Sequence, residues 1–255
     1  MKICRFEYNG KTYRGTIENN TFFPFEDLEN LYDPVNEMKI TESINFEDVR
    51  LLPPTIPSKI VCVGRNYAEH AAELGNEIPK EPLLFLKAPS AVITDGSAII
   101  IPKQSELVEY EGELAVIIGR NCKDLPADAN ALEYVFGYGC LNDVTARDLQ
   151  RKDVQFARAK SFDTFCPIGA IIETDLNVAD IGITTRVNGA IKQRGRTSQM
   201  VFPVDFLIKY ISRQMTLNAG DIIATGTPSG VSKLTVGDVC SIEIEGIGIM
   251  SNPVK

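Results

Sequence analysis

Apolar and polar positions in this chain alternate in short bursts, with few long helical stripes. Residues 3 to 8, 12 to 17 and 21 to 25 are strand-like runs rich in Ile, Phe, Tyr and Thr, separated by hairpin turn signals at Asn9-Gly10 and Glu18-Asn19-Asn20. A small β-meander is predicted there. The stretch from Asp33 to Asp48 is polar and weakly periodic, and Pro53, Pro54 and Pro57 then stiffen the chain. That boundary divides the sequence into a small N-terminal β domain, residues 1–57, and a larger domain, residues 58–255.

Beyond the boundary, Lys59 to Val63 has the character of a buried strand. Asn66 is predicted to cap a short helix, with Glu69 three residues later and Gly75 closing it. Strands are predicted at Leu83 to Leu86, Ala98 to Ile101, Glu113 to Ile118, Tyr134 to Asn142 and Pro167 to Ile172. Others follow at Thr184 to Asn188, Asp221 to Thr225, Val239 to Glu245 and Ile247 to Met250, with Asn188-Gly189 marking a hairpin and a helical turn starting near Thr145. One long amphipathic helix stands out: Pro203 opens it, and Val204, Leu207, Ile208 and Ile211 fall at i, i+3, i+4 and i+7. Many strands and few helices give an α+β, mostly β fold class and argue against an alternating doubly wound sheet.

Composition narrows the chemistry. The net charge is −8, from 34 acidic and 26 basic residues, which opposes binding to nucleic acid or to an anionic membrane. No run approaches the roughly 18 apolar residues that a membrane span needs, and no secretory leader opens the chain, so a cytoplasmic protein is expected. The six cysteines are scattered without a C-x-x-C pair or a nearby histidine, which reads as buried, reduced thiols and not as a zinc site.

The only histidine, His70, precedes Glu73 by three residues, so on a helix the carboxylate can orient the imidazole and raise its basicity. Taken alone, a lone histidine is more often a satisfied polar residue. Glu109, Glu111 and Glu113 recur at a spacing of two, which on an extended strand crowds three carboxylates onto one face. Either a cation lies between them or they are solvated on an edge strand. Asp143, at the end of a glycine-interrupted strand, is a natural further ligand for a hard, oxygen-ligated ion. Arg147 and Gln150 share a helix face and can clamp a carboxylate. The loop Gly226-Thr227-Pro228-Ser229-Gly230 can offer backbone N–H groups and the Thr227 hydroxyl to an anion, although an ordinary turn has the same composition. Lys160 completes the candidate set.

Seven segments in order, GRNYAEHAAE (64–73), FLK (85–87), YEGELAVIIG (110–119), LNDVTARDLQ (141–150), AKSFDTFCPIG (159–169), VNG (187–189) and ATGTPSGV (224–231), resemble the fumarylacetoacetate hydrolase superfamily over about residues 59 to 255. The nearest likeness is to its acylpyruvase, oxaloacetate decarboxylase and 2-hydroxyhepta-2,4-diene-1,7-dioate isomerase branch. The resemblance implies a β-sandwich roll and a homodimer. It implies Glu111, Glu113 and Asp143 as ligands of Mg2+ or Mn2+, which leaves Glu109 outside the trio. It further implies His70 and Glu73 as a water-activating dyad, Lys160 beside the enolate oxygen, and Arg147, Gln150 and Thr227 as holders of the substrate carboxylate. The implied activity is C–C cleavage of a 2-oxo or 2,4-dioxo acid such as an acylpyruvate, through a metal-bound enolate. Oxaloacetate decarboxylation or tautomerisation, and isomerisation or decarboxylation of the dienedioate, remain open. So does an organic-acid sensor that keeps the fold without turnover.

Overall fold

The structure, a computed structural model, describes residues 1–19, 21–24 and 43–255. Phe25, the expected end of the third strand, and most of the polar segment after Asp33 lie outside the described residues. Lys2–Tyr8, Lys11–Glu18 and Thr21–Pro24 form the antiparallel meander the alternation predicts. Asn9 and Gly10 both take positive φ, 49° and 74°, as a tight hairpin turn between right-twisted strands requires. The first strand also pairs with Ile171–Glu173 of the larger domain, so one sheet runs through both parts of the chain. A small cluster of Cys4, Phe6 and Phe22 fills the meander's own core.

At the centre of the large sheet is Gly112–Ile118, every residue of which is buried. Leu114, Val116 and Ile118 enter one apolar cluster while Ala115 and Ile117 enter another, so the continuous apolar run reports a strand covered on both faces. The amphipathic helix, Val204–Gln214, covers one of them, inserting Val204, Leu207, Ile208 and Ile211. A second, four-stranded sheet of Gly182–Val187, Ala190–Arg196, Val239–Ile244 and Gly248–Pro253 crosses close by. Gly112 marks the approach: a Cβ there would lie 2.1 Å from Thr185 Oγ1. The mostly β class and the roll expected from the family likeness are therefore what the chain adopts.

The site follows from strand direction. Val135–Asn142 and Ile222–Ala224 both run antiparallel to Gly112–Ile118, and Ile60–Gly64 runs parallel to Ile222–Ala224. The start of the central strand thus meets the C-terminal ends of three others at one edge, where four connecting segments leave the sheet together.

Three local expectations change. Asn66 is not the helix cap: the helix spans Ala68–Glu73 behind Tyr67, and no side chain caps it. The Asn66 carboxamide instead donates to the carbonyls of Phe202 and Thr225 and accepts from Phe202 N–H, because the chain end it would cap already lies against two other segments. Ala98 to Ile101 joins the chain end by a single bridge, Ile99 to Val254, and not as a full strand. Pro167 to Ile172 splits into Cys166–Pro167 and Ile171–Glu173, which pair with different partners on either side of Gly169.

Candidate metal and 2-oxo acid site

Glu113, second residue of the central strand, Glu111 just before it, and Asp143 just after Val135–Asn142 place carboxylate oxygens within 4.8 Å of one another, all buried. Glu109 does not join them. Its carboxylate accepts from Arg147 Nε at 2.7 Å, so the equal spacing of the three glutamates over-counts by one.

Cations bind the cluster from below and beside. Lys160, at the end of the short helix Ala157–Lys160, donates to Glu111 Oε2 at 2.8 Å and to Asp143 Oδ2 at 2.7 Å. Arg147, first residue of the helix Arg147–Asp153, donates to Glu109, to Glu111 and, at 2.6 Å, to Gln150 Oε1. Lys87, which no sequence argument singled out, donates to Asp143 Oδ1 at 2.6 Å and to the Val144 carbonyl at 3.1 Å from a fully buried position. A lysine ending an apolar strand is read as a surface charge unless a buried partner is known, and FLK carried only resemblance.

These neighbours set the charge states. Burial pushes the Glu111 carboxyl up, but Lys160 and then Arg147 outweigh it and hold the group well below the usual carboxylate range. Glu113 goes the other way: burial, then the charges of Asp143 and Glu111, push it well above that range, and the Gly226 N–H at 2.7 Å offsets only part of this. Three hard oxygen donors converge, one of them held protonated for want of positive charge. That donor set fits a divalent cation of the Mg2+ or Mn2+ type.

Across the cavity stands the dyad. His70 is 5% exposed and its Nδ1 lies 3.2 Å from Glu73 Oε2. Glu73 in turn accepts from Gly230 N–H at 3.0 and 3.2 Å, and Ser229 donates to Glu69 at 3.2 Å, so the Gly226–Gly230 loop latches the helix that carries His70. Gly230 takes φ +105°, and a Cβ on it would sit 2.1 Å from the Lys192 carbonyl oxygen, which leaves glycine as the residue that fits. The loop does receive carboxylates through its N–H groups, but they are the protein's own Glu113 and Glu73.

Thr227 lines the cavity, yet its hydroxyl donates to the Gly112 carbonyl at 2.9 Å and accepts from Gln193 at 2.7 Å. Its proton is therefore spent inside the protein. Gln193 is a second residue the sequence did not disclose: fully buried, it accepts from Gly112 N–H at 3.0 Å and donates to Thr227 and to the Pro228 carbonyl, both at 2.7 Å. It joins the four-stranded sheet to the carboxylate strand and the latch loop at once. Gln150 keeps its amide N–H groups without a partner, free for a ligand.

The cavity bounded by these groups has a volume of about 60 Å³ and is lined by His70, Glu111, Glu113, Asp143, Lys160 and Gln150 among others. The structure thus brings every candidate residue to one site, with Glu73 a step behind His70.

Comparison with known proteins agrees with this geometry. Residues 59–255 match the family model described as fumarylacetoacetate (FAA) hydrolase C-terminal, and residues 1–54 match an Rv2993c-like N-terminal domain. The chain belongs to the fumarylacetoacetate hydrolase family. It is 44% identical to the oxaloacetate tautomerase YisK of Bacillus subtilis, over 80% of this chain and 67% of that one. The crystal structure of 5-carboxymethyl-2-hydroxymuconate delta-isomerase from Mycobacterium smegmatis superposes with a TM-score of 0.90 at 42% identity, covering 100% of this chain and 99% of that one. A fumarylpyruvate hydrolase from Pseudomonas aeruginosa, solved in complex with Mn2+ and pyruvate, is 32% identical with a TM-score of 0.74, over 80% and 91% of the two chains. Members of the family are enzymes. Among the described residues, no helix is long and apolar enough to cross a membrane.

Proposed function

We propose that this chain generates and discharges the enolate of a 2-oxo acid, and that its reaction is C–C cleavage of a 2,4-dioxo acid of the acylpyruvate type. The observation that carries this reading is the facing arrangement of a histidine–carboxylate dyad and a buried lysine across a cavity floored by three carboxylates. Glu111, Glu113 and Asp143 would hold Mg2+ or Mn2+. Such a cation, when bound, supplies Lewis acidity to the carboxylate and 2-oxygen of the substrate.

The chain's own residues supply the rest. With Nδ1–H donated to Glu73, the His70 imidazole presents Nε2 as a base. It takes a proton from water as the water oxygen attacks the 4-carbonyl carbon. The C3–C4 bond then breaks, its electron pair passes into the enolate at C2 and C3, and a proton added to C3 yields pyruvate and the free acid. Lys160 faces the growing charge on the 2-oxygen with an ammonium fixed before the reaction starts. Burial lowers its pKa but Asp143 and Glu111 more than restore it, so the ammonium stays charged. Gln150 offers free amide N–H groups, and Arg147 spends only three of its five, so both can hold the substrate carboxylate.

A second reading draws on the tautomerase relative: proton transfer at C3 of oxaloacetate uses the same base and the same cationic environment without a water. Proton NMR of acetylpyruvate in D2O tests the first reading. Cleavage should give acetate and pyruvate carrying deuterium at C3. Rapid exchange of oxaloacetate C3 protons with no cleavage of acetylpyruvate would replace the first reading with the second.

A further inference from the structure

Most of the positive charge in the cavity is committed. Arg147 and Lys160 line it, but both are ion-paired to its carboxylates, and Lys87 behind them is paired to Asp143. Arg65 differs. It lines the same cavity, is only partly buried, and its guanidinium has no hydrogen-bond or ion-pair partner.

Its backbone is also unusual. Arg65 takes φ +57°, in the left-handed region, which costs a residue with a Cβ about 1–2 kcal/mol. The segment is held there from both sides. Gly64 ends a paired strand, and Asn66 is fastened by its side chain to Phe202 and Thr225 and by its carbonyl to Val201 N–H. Glycine or asparagine would meet that backbone demand more cheaply, so an arginine there, with its charge unpaired at a cavity wall, points to a ligand.

Position identifies which end of the ligand. Lys160, Arg147 and Gln150 stand with the carboxylate floor, where the carboxylate and 2-oxygen belong on the reading above. Arg65 belongs to the segment that carries His70, which acts at the far carbonyl. We propose that Arg65 receives a second carboxylate at the distal end of the substrate, so that the preferred substrates are dicarboxylic 2-oxo acids and not monocarboxylic acylpyruvates. This rests on the 2-oxo acid reading and sharpens it.

The test compares the wild type with Arg65→Gln and Arg65→Lys on fumarylpyruvate and oxaloacetate, which carry a distal carboxylate, and on acetylpyruvate, which does not. Calorimetric titration with oxalate reports the shared end alone. The wild type should favour the diacids. Arg65→Gln should lower kcat/KM for a diacid by about 10- to 100-fold, the scale of a charge-assisted hydrogen bond. Acetylpyruvate turnover should fall far less, oxalate affinity should hold, and Arg65→Lys should recover part of the loss. Equal losses on diacid and monoacid, or no loss on either, overturn the proposal. A wild type that binds oxalate and cleaves acetylpyruvate as well as any diacid overturns it while leaving the 2-oxo acid reading in place. A wild type that binds no oxalate and turns over none of the three removes that reading, and the proposal with it.

Discussion

At His70, one ring nitrogen faces Glu73 and the other is without a protein partner, whereas the Lys160 ammonium is fixed between Glu111 and Asp143. The two side chains therefore serve different steps, and substitution should separate them. General-base catalysis contributes about 10²- to 10⁴-fold. His70→Ala should cost acetylpyruvate cleavage a factor in that range and oxaloacetate decarboxylation distinctly less, since loss of carbon dioxide needs no activated water. Lys160→Met should damage both, because both build charge on the 2-oxygen. Steady-state kinetics on the two substrates checks this, and wild-type cleavage by the His70 variant would remove the dyad from the mechanism. Much of this scale was legible in the sequence. His70 with Glu73, the Glu111–Glu113–Asp143 trio and Lys160 all stand out by residue type, spacing or resemblance. Lys87 and Gln193 did not, because their importance lies in burial and partners that only the folded chain creates.

Among the elements, the strand Gly112–Ile118, the loop Gly226–Gly230 and the helix Ala68–Glu73 form one connected support. Gln193 ties the strand to the loop, and Gly230 ties the loop to Glu73. Gln193→Leu keeps most of the side-chain volume but leaves Gly112 N–H buried without an acceptor, a cost of about 1–3 kcal/mol. Urea denaturation should show that loss, and kcat should fall with it although Gln193 does not itself line the cavity. Unchanged stability and unchanged kcat together would contradict the role. The strands with strong alternation or continuous apolar runs were legible in the sequence, as was the helix opened by Pro203. The misplaced cap at Asn66 and the split near Gly169 were not, because in each case distant segments supply the hydrogen-bond partners that local sequence cannot name.

For the whole molecule, sequence gave the strands but not their order. Which strand ends meet at the site depends on registers such as Ala115 with Ala224 and Ile222 with Ile60, set by packing of the two apolar clusters. Gathering carboxylates at that edge has a thermodynamic signature. Burial, with Asp143 and Glu111, raises the Glu113 pKa in the folded chain above its unfolded value of about 4.3. A raised folded pKa gives stability that is full below the unfolded value and is lost as pH climbs through the folded one. A divalent cation can replace the proton. Metal-free protein should therefore lose Tm as pH rises above neutrality, and Mg2+ should recover more Tm at alkaline than at acidic pH. Parallel melting curves with EDTA and with Mg2+ across that range would contradict this coupling.

The central claim is that Glu111, Glu113 and Asp143 hold a divalent cation on which 2-oxo acid turnover depends. It is tested most directly by assaying acetylpyruvate, fumarylpyruvate and oxaloacetate with protein exhaustively treated with EDTA and then titrated with Mg2+ or Mn2+. The account predicts turnover of at least one of these acids that disappears on chelation and returns with the cation. Full turnover by the demetallated protein, or none by the reconstituted protein on any of the three, would contradict it.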